Sequence, residues 1–245
     1  MDTSSVVILD WDTQFFEFRI GRVIGERLTP RQASAVDEWC THQEVRCLYF
    51  LCTAQDYEST QAAEQAGFHL VDIRMTFTRK LSEEIRPRGG SEVARVRPYR
   101  AEDVSTLEQI ARVSHRDTRF SVDPNFPAHL SDELYATWIR RSCEGYAQQV
   151  FVATQDEHPV GYIACHYDQA HQTGQIGLVA VTESARGRGI GSQLTNEALL
   201  WFQTEGAKEI VVVTQGRNYA AQNLYQRLGF VTTSISLWYH KWFNT

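Results

Sequence analysis

No stretch of this chain is apolar for long enough to cross a bilayer, which takes roughly 20 consecutive residues. Residues 1–12, MDTSSVVILDWD, have no basic start, and Asp10 breaks their short apolar run, so no secretory leader is read. Cysteine is sparse and unpatterned. Cys40, Cys47, Cys52, Cys143 and Cys165 are odd in number and lack C-x-x-C spacing, which argues against a disulfide framework and a zinc site. The eight histidines never fall into H-E-x-x-H. Positive charge is also short: 24 Lys and Arg against 30 Asp and Glu leave a net −6. That is the wrong sign for holding nucleic acid on a basic stripe. The expectation is a reduced, metal-free, cytoplasmic protein with no nucleic-acid or membrane partner.

What the chain does have is length and aromatic rings. Its 245 residues are comfortable for two domains. Its 12 Phe, 10 Tyr and 6 Trp suit core packing or a ring-shaped ligand. A seam is read in SEEIRPRGGSEVARVRP, where Pro87, Gly89 and Gly90 interrupt the pattern and charge dominates. It divides the chain into a smaller α/β domain over 1–85 and a second domain over 93–245. In the first, FRIGRVIG, RCLYFLCT and FHLVDIRMTFTR read as strands. RQASAVDEWCTH and DYESTQAAEQAG read as helices, the latter capped by Asp56 or Ser59 and ended by Gly67.

In the second segment, helices near EDVSTLEQIARVSH and SDELYATWIRRS precede strands QVFVATQ and VGYIACHYD, joined by a DEHP turn. The strand QIGLVAV, a helix, the β-branched run KEIVVVT, the helix NYAAQNLYQRLG and the strand SISLWYHKWF follow. AAEQAGF (62–68) and LYQRLGF (224–230) both end a helix with Gly-Phe before a strand, a weak internal echo.

Between QIGLVAV and its helix lies ESARGRGIGSQL, with two arginines and three glycines in six positions. Ile190, Leu194, Ala198, Trp201 and Phe202 share one side of the helix that follows. A helix opening near Gly189 presents unpaired N–H groups and a positive dipole end, and bare glycines let an anion approach them. Arg186 and Arg188 add charge at the rim. The bland alternative is a turn with two solvated arginines. No lysine stands where a nucleotide-triphosphate loop needs one, and Gly187, Gly189 and Gly191 alternate rather than forming G-x-G-x-x-G.

GLVAVTESARGRGIGSQL resembles the acyl-CoA pyrophosphate loop of the GNAT acyltransferase superfamily, R/Q-x-x-G-x-G/A, filled here by Arg186, Gly189 and Gly191. A second signature of that superfamily is met by Asn218, Ala221, Tyr225, Gly229 and Phe230. The resemblance implies an α/β (α+β) GNAT fold with a mixed, centrally splayed sheet, preceded by a smaller α/β domain like a partial GNAT fold. It implies acetyl-CoA as cosubstrate. The pantetheine arm would lie beside Val179, Ala180 and Val181, and the diphosphate on Arg186, Gly187, Arg188, Gly189, Ile190, Gly191 and Ser192. Asn218 and Tyr225 would border the cofactor. Tyr225 would be the general acid that protonates the departing thiolate, since a phenol stays protonated at neutral pH. Asn218 and Tyr225, seven residues apart, would share a helix face. The i, i+4 stripe of Leu224 and Leu228 would leave Tyr225 pointing elsewhere. The competing reading makes Tyr225 a core aromatic.

WDTQFFEFRIGRV, AAEQAGFHLVDIRMTF and DTRFSVDPNFP resemble a narrower group, the two-domain nucleotide-amino-sugar N-acetyltransferases related to dTDP-fucosamine acetyltransferase. This likeness implies an acceptor of the dTDP-4-amino-4,6-dideoxyhexose type. It makes Asp72 a water-linked proton acceptor, against the alternative of a solvated strand-end carboxylate. It sets Arg119 and Phe120 against the acceptor, with the arginine meeting a diphosphate. Phe15 and Phe16 read as core. His240 and Lys241 depart from the group's pattern and put the sugar in doubt if they face the pocket. Relatives of this type often pair, which leaves a homodimer open. Two other functions stay in view: acetylation of a protein N-terminus, lysine or polyamine, and a non-catalytic acyl-CoA-binding module.

Overall fold

A computed structural model describes residues 5–81 and 94–243. Pro87, Gly89 and Gly90 of the seam lie outside the described residues. The first segment runs β1 (Val6–Ile8), α1 (Asp10–Phe16), β2 (Ile20–Val23), α2 (Pro30–His42), β3 (Cys47–Thr53), α3 (Tyr57–Gln65) and β4 (His69–Lys80). The second begins with β5 (Arg95–Pro98), α4 (Val104–Ser114), α5 (Arg119–Val122) and α6 (Ala128–Arg141). It continues with β6 (Gln149–Gln155), β7 (His158–Asp168), β8 (Thr173–Val181), α7 (Ile190–Thr204), β9 (Glu209–Gln215), α8 (Tyr219–Arg227) and β10 (Val231–Trp242).

Local chemistry sets several boundaries. Thr29 and Gln32 exchange hydrogen bonds as a capping box ahead of Pro30, which starts α2 with its φ already suited to a helix. Asp56, not Ser59, caps α3, its carboxylate accepting from Ser59 N at 3.1 Å. The DEHP turn is tight because Asp156 (φ 49°) and Glu157 (φ 63°) both take left-handed backbone, the geometry that matches strand twist in a two-residue hairpin. Four elements differ from the sequence expectation. The charged stretch after the seam contains β5, paired antiparallel with β6, the aromatic WDTQFF forms α1, and β1 and the short α5 have no counterpart in the sequence reading.

All ten strands join one mixed sheet in the order β1-β2-β3-β10-β4-β9-β8-β7-β6-β5. The strands of the two segments therefore interleave: β10 lies between β3 and β4, and β4 pairs with β9. The Gly-Phe echo acquires a structural meaning here. Units β3-α3-β4 and β9-α8-β10 each end their helix on a left-handed glycine, Gly67 (φ 81°) or Gly229 (φ 83°), before the buried Phe68 or Phe230. Each unit then gives its second strand to the other: β4 docks on β9, β10 docks on β3, and the two exchanged strands pair antiparallel at the centre.

One face packs α7 and α8 through Ile190, Leu194, Phe202 and Tyr225 against Phe77, Ile176 and Val212. The opposite face packs α1, α4 and α6 through Phe16, Leu107, Leu134 and Ile139 against Tyr49, Val152 and Tyr162. A third cluster, with Val36, Cys40 and Ala63 over Leu48, Phe50 and Tyr239, seats α2 and α3.

Candidate active site in the splayed sheet

β8 and β9 pair in parallel for only four residues, Thr173↔Glu209 to Ile176↔Val212, and then part. The parting has a local cause. β8 registers with β7 as Leu178↔Ala164 and then Ile176↔Cys165, so Gly177 is the extra residue of a bulge. A Cβ there would meet His166 Nε2 at 2.7 Å, so a larger residue would have to displace the His166 side chain. Beyond it, Thr182 N donates to Val160 O at 2.8 Å. Alternation along an antiparallel ladder then turns the backbone groups of Val179 and Val181 away from β7, into the gap. Val181 O already accepts one bond there, from Arg186 Nε at 3.0 Å.

The loop at the mouth of the gap has the shape its composition implies. Gly187 (φ 75°) and Gly189 (φ 87°) adopt left-handed backbone, with no heavy atom within 4 Å of where a Cβ would stand. The first bond of α7 runs from Gln193 N to Gly189 O at 3.0 Å, and no side chain caps the helix. The N–H groups of Ile190, Gly191 and Ser192 are thus left open at the positive end of the dipole. Gap and loop share a cavity of about 700 Å³. Val179, Ala180, Val181, Arg186, Gly187, Gly189, Ile190, Gly191, Ser192, Asn218 and Tyr225 all line it. Arg188 does not; it is exposed on the outer side of the loop.

The cavity opens toward both faces of the sheet. Asn218, Ala221 and Tyr225 border it from the α8 layer, and His115, Asp117, Tyr135 and Trp138 from the α4 and α6 layer. Asn218 reaches it from the N-cap of α8, where its side chain accepts from Ala221 N at 3.1 Å, not from the helix face that the seven-residue spacing suggested. Nor does Tyr225 point away from the leucine stripe. It packs in the same core as Leu228, with its ring 6.0 Å from Phe77 and 5.7 Å from Phe230. The core and cavity readings of this tyrosine are both true, since its ring is buried and it borders the gap. Burial raises its pKa well above the ordinary phenol value, so it holds its proton.

His115 escaped the sequence reading. It stacks on Tyr135 at 4.4 Å, and its Nε2 lies 3.0 Å from the Tyr162 hydroxyl. Burial first, and then the Arg186 charge, push its pKa down to about 4, so the ring is neutral. A lone histidine at a helix end gives no sequence signal; only the fold brings it to the gap.

The acceptor-side residues lie outside that cavity. Asp72 is buried within β4 opposite Trp238, not at a strand end in solvent. Its Oδ1 accepts from Ile73 N at 2.8 Å. Burial pushes its pKa up to about 6, against the lowering effects of that bond and of Arg217 and Arg119. Arg119 starts α5 with its guanidinium carbon 4.0 Å from the Tyr49 ring and 4.4 Å from that of Trp238. It donates to His240 Nε2 at 2.7 Å, and His240 Nδ1 donates to Asp123 at 2.7 Å. Phe120 is buried among Phe16, Phe126 and Tyr49. The two departures from the family pattern separate: His240 is buried in this network, whereas Lys241 bonds Asp37 at 2.6 Å and Ala66 O on the opposite face.

Residues 109–230 match the Acetyltransferase (GNAT) family. Through this domain the chain belongs to the GNAT acetyltransferases. The family is one of acyl-CoA N-acyltransferases, and the open helix end and unpaired strand edges of this chain fit acetyl-CoA. Among curated relatives, the chain is 26% identical to the dTDP-fucosamine acetyltransferase of Escherichia coli O6:H1 over 97% of its own length and 98% of that protein. It is 37% identical to N-alpha-acetyltransferase 30 of Schizosaccharomyces pombe over 33% of its length, and the match spans 55% of that protein. Among solved structures, a GCN5-related N-acetyltransferase from Sphaerobacter thermophilus shares the fold with a TM-score of 0.71 at 16% identity, covering 97% of this chain and 76% of that one. Among the described residues no helix is long and apolar enough to cross a membrane.

Proposed function

We propose that this protein is an acetyl-CoA-dependent N-acetyltransferase whose acceptor is the amine of a nucleotide-linked amino sugar, of the dTDP-4-amino-4,6-dideoxyhexose type. The observation that carries the reading is the lined gap between β8 and β9, joined to a likeness to dTDP-fucosamine acetyltransferase that runs through both segments of the chain.

The residues divide the work as follows. The N–H groups at the start of α7 hold the coenzyme diphosphate, and the gap-facing groups of Val179 and Val181 bond the pantetheine arm in the manner of an added strand. Bound acetyl-CoA supplies a thioester carbonyl for an amine to attack. A backbone N–H of the splayed strand stabilises the negative charge that develops on its oxygen. Tyr225 donates its proton to the departing thiolate, and Asp72, ionised above about pH 6, takes the amine's proton through water. A neutral amine needs no activated serine or cysteine, so orientation and these two transfers suffice. Five buried free thiols suit a cytoplasmic setting.

The test is free-thiol release from acetyl-CoA across dTDP- and UDP-linked amino sugars. Turnover with a dTDP-4-amino sugar is expected, and a panel without turnover refutes the sugar acceptor. The likeness to N-alpha-acetyltransferase 30, with the carboxylate of Asp117 at the cavity, favours a second reading in which a peptide N-terminus is acetylated. Peptide amines in the same assay decide between them.

A further inference from the structure

Arg22 and Arg74 stand out among the partly buried cations of this fold because no hydrogen bond or ion pair among the described residues holds either guanidinium. Arg97 is paired with Asp103, Arg112 with Glu133 and Lys241 with Asp37, while Arg119 bonds His240. Arg22 and Arg74 are half-buried, yet neither guanidinium makes a hydrogen bond or an ion pair among the described residues. They come from strands far apart in sequence, β2 and β4, to the same face of the sheet. Arg22 lies over the Trp238 ring, its guanidinium carbon 5.6 Å from the centroid. Arg74 is opposite Ser236, two residues along β10 from Trp238 on the same side.

Burial first, and then repulsion by Arg22, loosen Arg74's hold on its proton, and the exposed Glu26 offsets this in part. Two like charges in a partly desolvated place, without a carboxylate bonded to either, carry a standing cost that a dianion would remove. Arg119, by contrast, has its guanidinium held by His240 and by three aromatic rings.

Position on β4 supplies the second half of the argument. Asp72 and Arg74 are alternate residues of one strand, on one face, so they stand about 7 Å apart along it. In a nucleotide-linked 4-amino sugar, the amine and the diphosphate leave opposite ends of one pyranose ring. An amine near Asp72 and phosphates at Arg74 and Arg22 set that ring beside the half-buried Trp238, which is opposite Asp72 and already carries the guanidiniums of Arg22 and Arg119 over its ring.

We infer that Arg22 and Arg74 form the anion subsite for the acceptor's nucleoside diphosphate, with the sugar beside Trp238. The inference rests on the nucleotide-sugar reading above and assigns the diphosphate to a pair of residues other than Arg119. Isothermal titration of dTDP into the full chain saturated with CoA tests it, since CoA keeps dTDP out of the α7 loop. The wild type is expected to bind dTDP, and Arg22→Gln and Arg74→Gln each to weaken it roughly tenfold or more. Arg22→Lys and Arg74→Lys, which keep the charge but lose the fork, are expected to fall between, and they carry the comparison if a Gln variant does not fold. A CoA-loaded wild type that ignores dTDP, or variants that bind it as well as the wild type does, overturns the assignment. Kinetics separate this failure from that of the proposed function. Arginine-dependent dTDP binding without turnover on any amino sugar supports the subsite and sinks the reaction. Turnover on a dTDP-amino sugar with unchanged KM in both Gln variants does the reverse.

Discussion

Replacing Tyr225 by Phe keeps a ring between Phe77 and Phe230 and removes only the hydroxyl. Tyr225→Phe is therefore expected to lower kcat by roughly 10²–10⁴ while leaving the thermal midpoint and the KM for acetyl-CoA nearly unchanged, as thiol release and thermal melts will show. At Asp72, whose pKa stands near 6, kcat/KM is expected to climb as pH rises through 6 and then level. Asp72→Asn should lower the plateau and erase that limb. Stability runs the other way. Between about pH 4 and 6 the unfolded chain releases this proton while the folded chain keeps it, so Asp72 lowers stability as pH rises through that window, and Asp72→Asn removes the effect. His240 has the opposite sign. Burial, with the Asp123 bond opposing it, pushes its pKa down to about 4, so the stability it confers is whole above pH 6.5 and is lost as pH falls toward 4. Asp123 holds the other end: burial would raise its pKa, but bonds from His240, Trp242 and Asn125 outweigh this and bring it to about 2. Arg119 and His240 were singled out in the sequence, but the bonds that join them to Asp123 were not legible, because His240 and Asp123 are separated by 117 residues and only the placement of β10 joins them.

At the scale of elements, much of the candidate site could be read directly. An apolar strand, a glycine-arginine turn and an amphipathic helix leave an anion little other place to sit, and the loop around Gly189 has that geometry. Gly189→Ala is expected to raise the KM for acetyl-CoA roughly tenfold, and its strained backbone to cost about 1–2 kcal/mol of stability. Gly206→Ala, at the far end of α7 with φ 86°, supplies the control: similar strain, no change in KM. What could not be read was the bulge at Gly177, which shows only in the register of β8 against β7. β5 was hidden as well, since its Arg-Val-Arg-Pro reads as linker and becomes a strand only through the edge that β6 offers.

For the whole molecule, the interleaved sheet makes a thermodynamic claim. Tryptophans report from both segments, Trp39 on α2 and Trp201 on α7, while far-ultraviolet circular dichroism reports on the backbone everywhere. Because β10 binds β3 and β4 while β4 binds β9, these probes are expected to give coincident denaturation curves with one midpoint. Two separated transitions would show that the segments unfold independently. The strand exchange was only hinted at by the repeated Gly-Phe, since sequence order says nothing about which neighbour a strand will choose.

The same exchange has a consequence in time. On a translating ribosome, β3 and β4 emerge early and find no neighbour for each other, because the strand that belongs between them is made only after β9 and α8. The nascent first segment must keep one edge of β3 and both edges of β4 unpaired for most of synthesis, which is a demand on chaperones. Slowing translation within residues 81–230 should therefore aggravate aggregation, whereas in many proteins a pause gives a finished domain time to fold.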